Sequence, residues 1–219
     1  MSTFLQKRLE EHKIDFSKIT DEILLVENFI SDQDLEEVFK IINSTQEEDW
    51  CIEYHSNLKN FCMEKFGRDD VDNLVAEGKF EITENWRDKN LNILDSEIYK
   101  KIYRKLNRMV EKEDYSLILS GFATIQRMQK DVELKSHTDQ HTDPSIRYAA
   151  ILYLNNDYVG GELVFENLDI TVKPKAKSLL IFPGDDKHKH GVNMVGDGPI
   201  RYVLVGFVKV KNFYENNKY

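Results

Sequence analysis

The spacing of hydrophobic residues changes near the middle of the chain. Up to about residue 113, apolar residues recur mainly at helical intervals, with irregular connections between the helical stretches. Ser31 and Asp34 have the spacing of a helix start, and a second predicted helix opens at residues 95–97. Residues 44–94 are polar and weakly periodic, so their pattern predicts no order of elements. The apolar faces of the two helices are formed by Leu35, Val38, Phe39 and Ile42, and by Ile98, Ile102, Leu106 and Met109.

From Gly121 onward the pattern is that of short β-strands. Six runs rich in β-branched and aromatic residues (FATIQRMQ, YAAILYLN, GELVFE, DITVKP, SLLIFP and RYVLVGFVKV) are separated by Gly, Pro, Asn and Asp. No helix-length pattern lies between them, which favours a mainly antiparallel sandwich or jelly roll. We therefore predict an α+β fold in which a helical support region, residues 1–113, packs on a jelly-roll core, residues 114–219, as one structural unit.

Composition narrows the classes of function. The 219 residues carry a formal charge of -9, which argues against nucleic acid as the main partner. Cys51 and Cys62 are too few for a disulfide framework and suggest a reducing compartment. The first 16 residues lack the apolar stretch of a signal peptide, and no run is long enough for a membrane span. These features predict a cytoplasmic protein without a membrane partner.

The segment SHTDQHTDPS, residues 136–145, contains the tripeptide His-Thr-Asp twice. On an extended strand, residues i and i+2 point to one face about 7 Å apart, so a His and an Asp can bind one ion. A further histidine from a distant strand would complete the two-His, one-carboxylate site of non-haem Fe(II) oxygenases. Because Asp143 precedes Pro144, the pair His137 and Asp139 is favoured. The pair His141 and Asp143 remains the alternative, or else lines the mouth of the site.

The order of the segments after this repeat resembles the Fe(II)- and 2-oxoglutarate-dependent oxygenases, specifically the prolyl 4-hydroxylase-like branch. The motifs are H-x-D, a strand ending in Y-L-N, Gly-Gly-Glu, Lys-Pro before an apolar strand, a distal His followed by x-Val, and a basic residue opening the last strand. All of them occur in this order over residues 121–210. The resemblance implies a double-stranded β-helix, which is a jelly roll, with metal bound by His137, Asp139 and His190.

The family pattern also separates two neighbouring histidines. His190 precedes Gly191-Val192 and fits the distal position, whereas His188 lies in the charged run DDKHK, where a solvated loop residue is expected. Met128 stands nine residues before His137, where the family has an aromatic or similar residue.

Two more residues receive roles from the resemblance. Arg201 opens the last strand and is expected to pair with the distal carboxylate of 2-oxoglutarate, a task that suits the two-pronged guanidinium group. Tyr153 is a second donor candidate, although a tyrosine on such a strand also serves in simple core packing. Arg201 lies eleven residues after His190, slightly more than the family pattern, and the excess falls in Gly-Asp-Gly-Pro. Arg147 is left without a role.

The implied activity is hydroxylation of an unactivated C–H bond with Fe(II), 2-oxoglutarate and O2, with ascorbate as a further candidate cofactor. The resemblance points to C4 of a prolyl residue in a peptide or protein, and to no catalytic residue beyond the metal ligands. The alternatives are a hydroxylase of a free amino acid or other small molecule, and a non-catalytic metal-binding or sensor module. Candidate substrate contacts are residues 65–90, including Trp86, and the loop after Asp139. The oligomeric state stays open, and a monomer is compatible with the sequence.

Overall fold

The computed structural model describes residues 4–54, 62–63, 65–68, 70–79, 87–110, 117–211 and 213. It contains two antiparallel sheets with helices packed on the outer face of the larger one. The helices are α1 Phe4–Glu11, α2 Asp32–Ser44, α3 Val71–Ala76, α4 Glu97–Val110 and α5 Asp139–Thr142. The strands are β1 Ser17–Lys18, β2 Leu24–Val26, β3 Cys51–Tyr54, β4 Arg87–Asn92, β5 Leu117–Met128, β6 Leu134–His137, β7 Ile146–Tyr153, β8 Leu163–Phe165, β9 Ile170–Val172, β10 Leu179–Pro183, β11 His190–Val192 and β12 Arg201–Val210.

The two sheets form the sandwich of a jelly roll. The larger sheet has the strand order β1-β2-β10-β7-β12-β5-β4-β3, and the smaller one has the order β6-β11-β8-β9. Every described strand pairing is antiparallel. The predicted α+β fold with a mainly antiparallel jelly-roll core is therefore confirmed.

The central strands of the larger sheet are buried on both faces, which explains their nearly continuous apolar sequence. In β10, Leu179 and Ile181 belong to the core under the helices, while Leu180 and Phe182 belong to the core between the two sheets. The same alternation places Tyr153 of β7 on the inner face, between the sheets. This inner face is the one that carries the candidate site.

Both predicted helices are present, and local sequence explains where they begin. Ser31 caps α2 by accepting a hydrogen bond from the Asp34 amide, and the Asp34 carboxylate accepts one from the Ser31 amide, each at 3.1 Å. At the start of α4, Ser96 Oγ accepts a hydrogen bond from the Tyr99 amide at 3.1 Å. The apolar residues of both helices pack into the core on the outer face of the larger sheet.

The first half of the chain contains more strand than its sequence predicts. Four strands, β1 to β4, lie before residue 93 and extend the larger sheet at both edges. These strands are two to six residues long, too short for an alternating pattern to stand out from irregular sequence. The predicted division at 113/114 falls in a segment outside the described residues, as does Trp86.

Among the described helices, none has the length and the apolar character needed to cross a membrane.

Candidate metal centre

Three elements bring the predicted metal ligands together. His137 is the last residue of β6, and His190, the first residue of β11, is its direct pairing partner across the smaller sheet. Thr138 continues the extended backbone with φ -119° and ψ 126°, and Asp139 then opens the short helix α5. One extended residue between His137 and Asp139 is enough to turn both side chains to the same side.

The ligand atoms of His137, Asp139 and His190 all lie within 4.8 Å of one another. Asp139 Oδ1 is 3.6 Å from His137 Nε2, and Asp139 Oδ2 is 4.0 Å from His190 Nε2. Asp139 and His190 are buried, whereas the His137 side chain keeps 19% of its surface exposed. The group is therefore closed on the inner side and open on the side of His137.

Hydrogen bonds on the far side of each imidazole orient the metal-facing nitrogens. Nδ1 of His137 lies 3.0 Å from the Lys135 carbonyl, and Nδ1 of His190 lies 3.0 Å from the His188 carbonyl. Because a carbonyl can only accept, Nδ1 is the donor in each pair, and Nε2 of each ring faces Asp139. Burial lowers the pKa of His190 to about 4, so this ring is neutral at neutral pH.

The carboxylate between the two rings lacks a protein partner on one side. Asp139 Oδ2 is buried and accepts no hydrogen bond from any described residue. A buried carboxylate oxygen without a donor is costly, and a cation between the two Nε2 atoms would satisfy it. Gly184 makes room for this arrangement, since a Cβ at that position would lie 3.2 Å from the Asp139 Cβ. The donor set therefore fits a divalent transition metal.

The second His-Thr-Asp tripeptide is not part of this cluster. The His141 side chain is 72% exposed, and its Nε2 lies 2.9 Å from Asp186 Oδ1. Asp143 accepts hydrogen bonds from the amide and hydroxyl of Ser145 and pairs with Lys209 at 2.9 Å. Helix α5 causes the separation, because its turn carries residues 141 and 143 away from the direction of His137 and Asp139.

A cavity of about 420 Å³ opens beside His137. His141 and Thr142 of the second tripeptide lie in its wall, whereas Asp143 does not. The full lining consists of Ser136, His137, Thr138, His141, Thr142, Asn167, Asp186 and Lys189.

His188 is buried, and its prediction as a solvated loop residue was wrong. Its side chain has 0% exposure, and Nδ1 donates to Asp185 Oδ1 at 2.7 Å. The charged neighbours in DDKHK suggested solvent, but residues 186–188 form a 3₁₀ turn that points this one side chain inward.

Arg201 lies on the inner face at the start of β12 and is 1% exposed. Its Nε donates to the Gly161 carbonyl at 3.1 Å, and its Nη1 lies 3.4 Å from the sulfur of Met128. The guanidinium carbon is 5.3 Å from the ring centre of Tyr153. Among the described residues, no carboxylate forms an ion pair with Arg201, so the protein leaves a buried positive charge uncompensated.

Two phenol groups lie beside this arginine. The hydroxyls of Tyr153 and Tyr158 are buried and have no hydrogen-bond partner among the described residues. Burial raises the pKa of Tyr153 to about 12, with Arg201 opposing the shift, so the phenol stays protonated and can donate. Tyr158 was not predicted from the sequence. The sequence feature that could have pointed to Tyr158 is the nearby Gly161. Its positive φ (+66°) turns the chain so that Tyr158 and Arg201 both pack on that glycine.

Asn155, the last residue of the Y-L-N motif, fixes the backbone on both sides of Arg201. Its Nδ2 donates to the Ile200 carbonyl at 2.8 Å, and its Oδ1 accepts from the Tyr202 amide at 2.9 Å. Arg147 is exposed on β7.

When the chain is compared with known protein families, one family model matches the region that contains these motifs. Residues 123–209 match the model described as the 2OG-Fe(II) oxygenase superfamily, a name that contains the metal and the cosubstrate predicted from the sequence. The matched region includes the three clustered side chains and Arg201.

Curated relatives match over a shorter stretch. Prolyl 3-hydroxylase 2 of Homo sapiens is 36% identical over 56 residues, which cover 23% of this chain and 8% of that protein. The Gallus gallus protein of the same name matches to the same extent. The chain therefore spans less than a tenth of the length of these relatives.

Solved structures share the fold over nearly the whole chain. A prolyl hydroxylase from Trichoplax adhaerens, in complex with a peptide fragment of the hypoxia inducible factor oxygen degradation domain, aligns with a TM-score of 0.65 at 14% identity and covers 98% of this chain and 96% of that one. A 2OG-Fe(II) family oxidoreductase from Burkholderia pseudomallei aligns with a TM-score of 0.57 at 13% identity, covering 95% and 90%. At these identities the likeness concerns the fold.

Proposed function

We propose that this chain is an Fe(II)- and 2-oxoglutarate-dependent dioxygenase that hydroxylates an unactivated C–H bond, because residues 123–209 match the model of the 2OG-Fe(II) oxygenase superfamily. The observation that carries the proposal is the convergence of His137, Asp139 and His190 within 4.8 Å. Two imidazoles and one carboxylate on one side of a metal leave positions open for other ligands, as non-haem Fe(II) oxygenases require.

The protein supplies orientation and exclusion of water. When bound, Fe(II) with 2-oxoglutarate and O2 supplies the oxidising power, with decarboxylation of 2-oxoglutarate to succinate. The carbonyls of Lys135 and His188 keep the two imidazoles in the metal-binding tautomer. Burial of Asp139 and His190 keeps water from the inner side, while the exposed edge of His137 leaves one approach open for substrate.

Arg201 is assigned to the distal carboxylate of 2-oxoglutarate. A buried guanidinium without a described carboxylate partner is unfavourable, and a dicarboxylate ligand would provide the missing charge. The hydroxyl of Tyr153, protonated and without a partner, is the second donor in this assignment. These two groups lie on the inner face of the larger sheet, where the ligand would be shielded from solvent.

For the substrate, we propose a prolyl residue in a peptide or protein, hydroxylated at C4. The match to prolyl 3-hydroxylase 2 supports a prolyl substrate, although the name of that protein specifies C3. A proline-rich segment is already extended, so it loses little entropy when it docks in a groove such as the cavity beside His137. The net charge of -9 favours neutral or basic peptides over acidic ones.

The experiment is a peptide screen with purified protein, Fe(II), 2-oxoglutarate, O2 and ascorbate. We expect addition of one oxygen atom to Pro in neutral or basic peptides, matched by succinate formation, and no succinate with the same peptides carrying Ala for Pro. Fragmentation and NMR of the product identify the modified carbon. Turnover of free amino acids or other metabolites, with none of Pro peptides, would refute the prolyl substrate and retain the dioxygenase. Absence of 2-oxoglutarate turnover with every substrate would favour the non-catalytic module.

A further inference from the structure

We infer that His188 is a positioning residue for the metal centre, which fixes the turn that orients His190 and joins that turn to the N-terminal hairpin. The inference rests on the proposed metal-binding function. It concerns a buried side chain that binds no metal itself and that the family pattern does not include.

Asp185 and His188 close the turn between β10 and β11. Nδ1 of His188 donates to Asp185 Oδ1 at 2.7 Å, and the same carboxylate oxygen accepts the His188 amide at 3.2 Å. The His188 side chain is 0% exposed, so its end of both hydrogen bonds is shielded from competing water, whereas the Asp185 side chain is 45% exposed. The conformation of the turn is therefore tied to this one side chain.

The turn leads directly to a metal ligand. The His188 carbonyl is the acceptor for Nδ1 of His190 at 3.0 Å, so a change in the backbone at residue 188 moves the atom that sets the tautomer and orientation of His190. Phe165 packs against both rings, at 6.5 Å from His188 and 6.0 Å from His190. Loss of the His188 ring would leave a space beside Phe165 and loosen the contact with His190.

The opposite edge of His188 faces the N-terminal hairpin. Its Nε2 lies 3.8 Å from Glu22 Oε2, beyond hydrogen-bond distance, and has no hydrogen-bond partner among the described residues. Glu22 also pairs with Lys187 of the same turn. The next residue, Ile23, is fully buried in the core between the sheets. The connection between β1 and β2 thus packs against the turn that precedes His190.

His141 provides a matched control. It also lies two residues from a proposed ligand, Asp139, and its Nε2 pairs with a carboxylate of the same turn, Asp186, at 2.9 Å. Its side chain is 72% exposed, however, so it does not hold buried backbone. Chemistry and sequence spacing are matched, and burial differs.

The test measures Mn(II) affinity by EPR and the visible spectrum of the Co(II)-substituted protein, for His188→Leu, His188→Asn and His188→Gln. We expect His188→Leu to weaken Mn(II) binding roughly tenfold to a hundredfold, the range for partners of metal ligands, and to shift the Co(II) spectrum. His188→Asn should retain most of the affinity, because its amide can replace Nδ1 as donor to Asp185. His188→Gln cannot replace that donor and should behave like His188→Leu.

Asp185→Ala should reproduce the loss, and combining it with His188→Leu should add little, since both remove the same hydrogen bond. His141→Leu should bind Mn(II) as the wild type does. Wild-type affinity and an unchanged Co(II) spectrum in His188→Leu would overturn the inference, as would retention by His188→Gln but not by His188→Asn. If the wild-type protein itself binds no Mn(II), the proposed metal function fails instead.

Discussion

Asp139 lies beside two imidazole rings whose centres are 4.6 Å apart, with one carboxylate oxygen nearest each Nε2. One of its oxygens accepts no hydrogen bond from the described residues, and burial keeps the neighbouring His190 ring neutral by lowering its pKa to about 4. A cation bound by these three side chains would stabilise the cluster more than their contacts with one another do.

Single substitutions of the ligands should remove the metal. We expect His137→Ala, Asp139→Ala and His190→Ala to abolish measurable Mn(II) binding and succinate formation, because each removes one of three coordinating groups. Calorimetric titration and the succinate assay provide the measurements. His141→Ala should retain both properties. Loss in His141→Ala with retention in His137→Ala would mean that the second tripeptide holds the metal.

Arg201 is the residue whose loss should affect the cosubstrate alone. Charge-assisted hydrogen bonds contribute roughly 1.5–3 kcal/mol each, so losing two should weaken 2-oxoglutarate binding roughly a hundred- to thousandfold. We expect Arg201→Ala to raise the KM for 2-oxoglutarate by this factor with Mn(II) affinity unchanged. Arg201→Lys keeps the charge and fills the space, and should lose less.

Arg147→Ala is the control for this experiment, because that arginine is exposed on β7. An unchanged KM in Arg201→Ala would remove Arg201 from the pocket, and a raised KM in Arg147→Ala would then assign the distal carboxylate to Arg147.

At the scale of elements, the smaller sheet sets the spacing of the two histidines. A Cβ on Gly191 of β11 would lie 2.7 Å from the Leu134 carbonyl of β6, nearer than non-bonded atoms normally approach. Gly191→Ala should therefore separate the strands that end in His137 and begin with His190.

We expect Gly191→Ala to lower Mn(II) affinity, measured by EPR titration. Ser31→Ala is the control, since it removes the cap of α2 and should lower the free energy of unfolding by about 1 kcal/mol without touching the site. Urea denaturation measures the free energy of unfolding. If both variants lost stability and neither lost affinity, strand spacing would not govern metal binding.

Elements with strong local signals were predictable from the sequence, and those formed by tertiary contacts were not. The start of α2 is set by Ser31 and Asp34, two residues that interact within one turn. Strands β1 and β2 form because they pair with each other and because β2 pairs with β10, far along the chain. The clustering of His137 with Asp139 follows from near-neighbour spacing, whereas the burial of His188 depends on Glu22 and Phe165, which no local pattern links to it.

At the scale of the whole molecule, the interior contains two large hydrophobic cores. One core lies between the larger sheet and the helices, and contains mostly aliphatic residues. The other lies between the sheets and borders the metal centre and Arg201. The central strands contribute alternate residues to both cores. A change at the candidate metal centre should therefore change the free energy of unfolding of the protein.

Metal binding should therefore raise the melting temperature. A ligand present at a hundred times its Kd raises the free energy of unfolding by about 2.7 kcal/mol. For a chain of this length, that corresponds to a rise in melting temperature of roughly 5–10 °C. We expect Mn(II) to produce this shift in the wild type and in His141→Ala, and EDTA to reverse it. His190→Ala should show no shift with Mn(II). Equal shifts in all three would indicate binding outside the proposed centre.

The amide of Asn155 has a consequence for how this chain can vary. By bonding the Ile200 carbonyl and the Tyr202 amide, one side chain holds the start of β12 on the side of β7, while Met128 of β5 pairs with Arg201 on the other side. Arg201 is thereby located from both neighbouring sides and not by the length of the connection from β11. We therefore expect the segment Gly196-Asp197-Gly198-Pro199 to tolerate a change in length while the surroundings of Arg201 keep their dimensions.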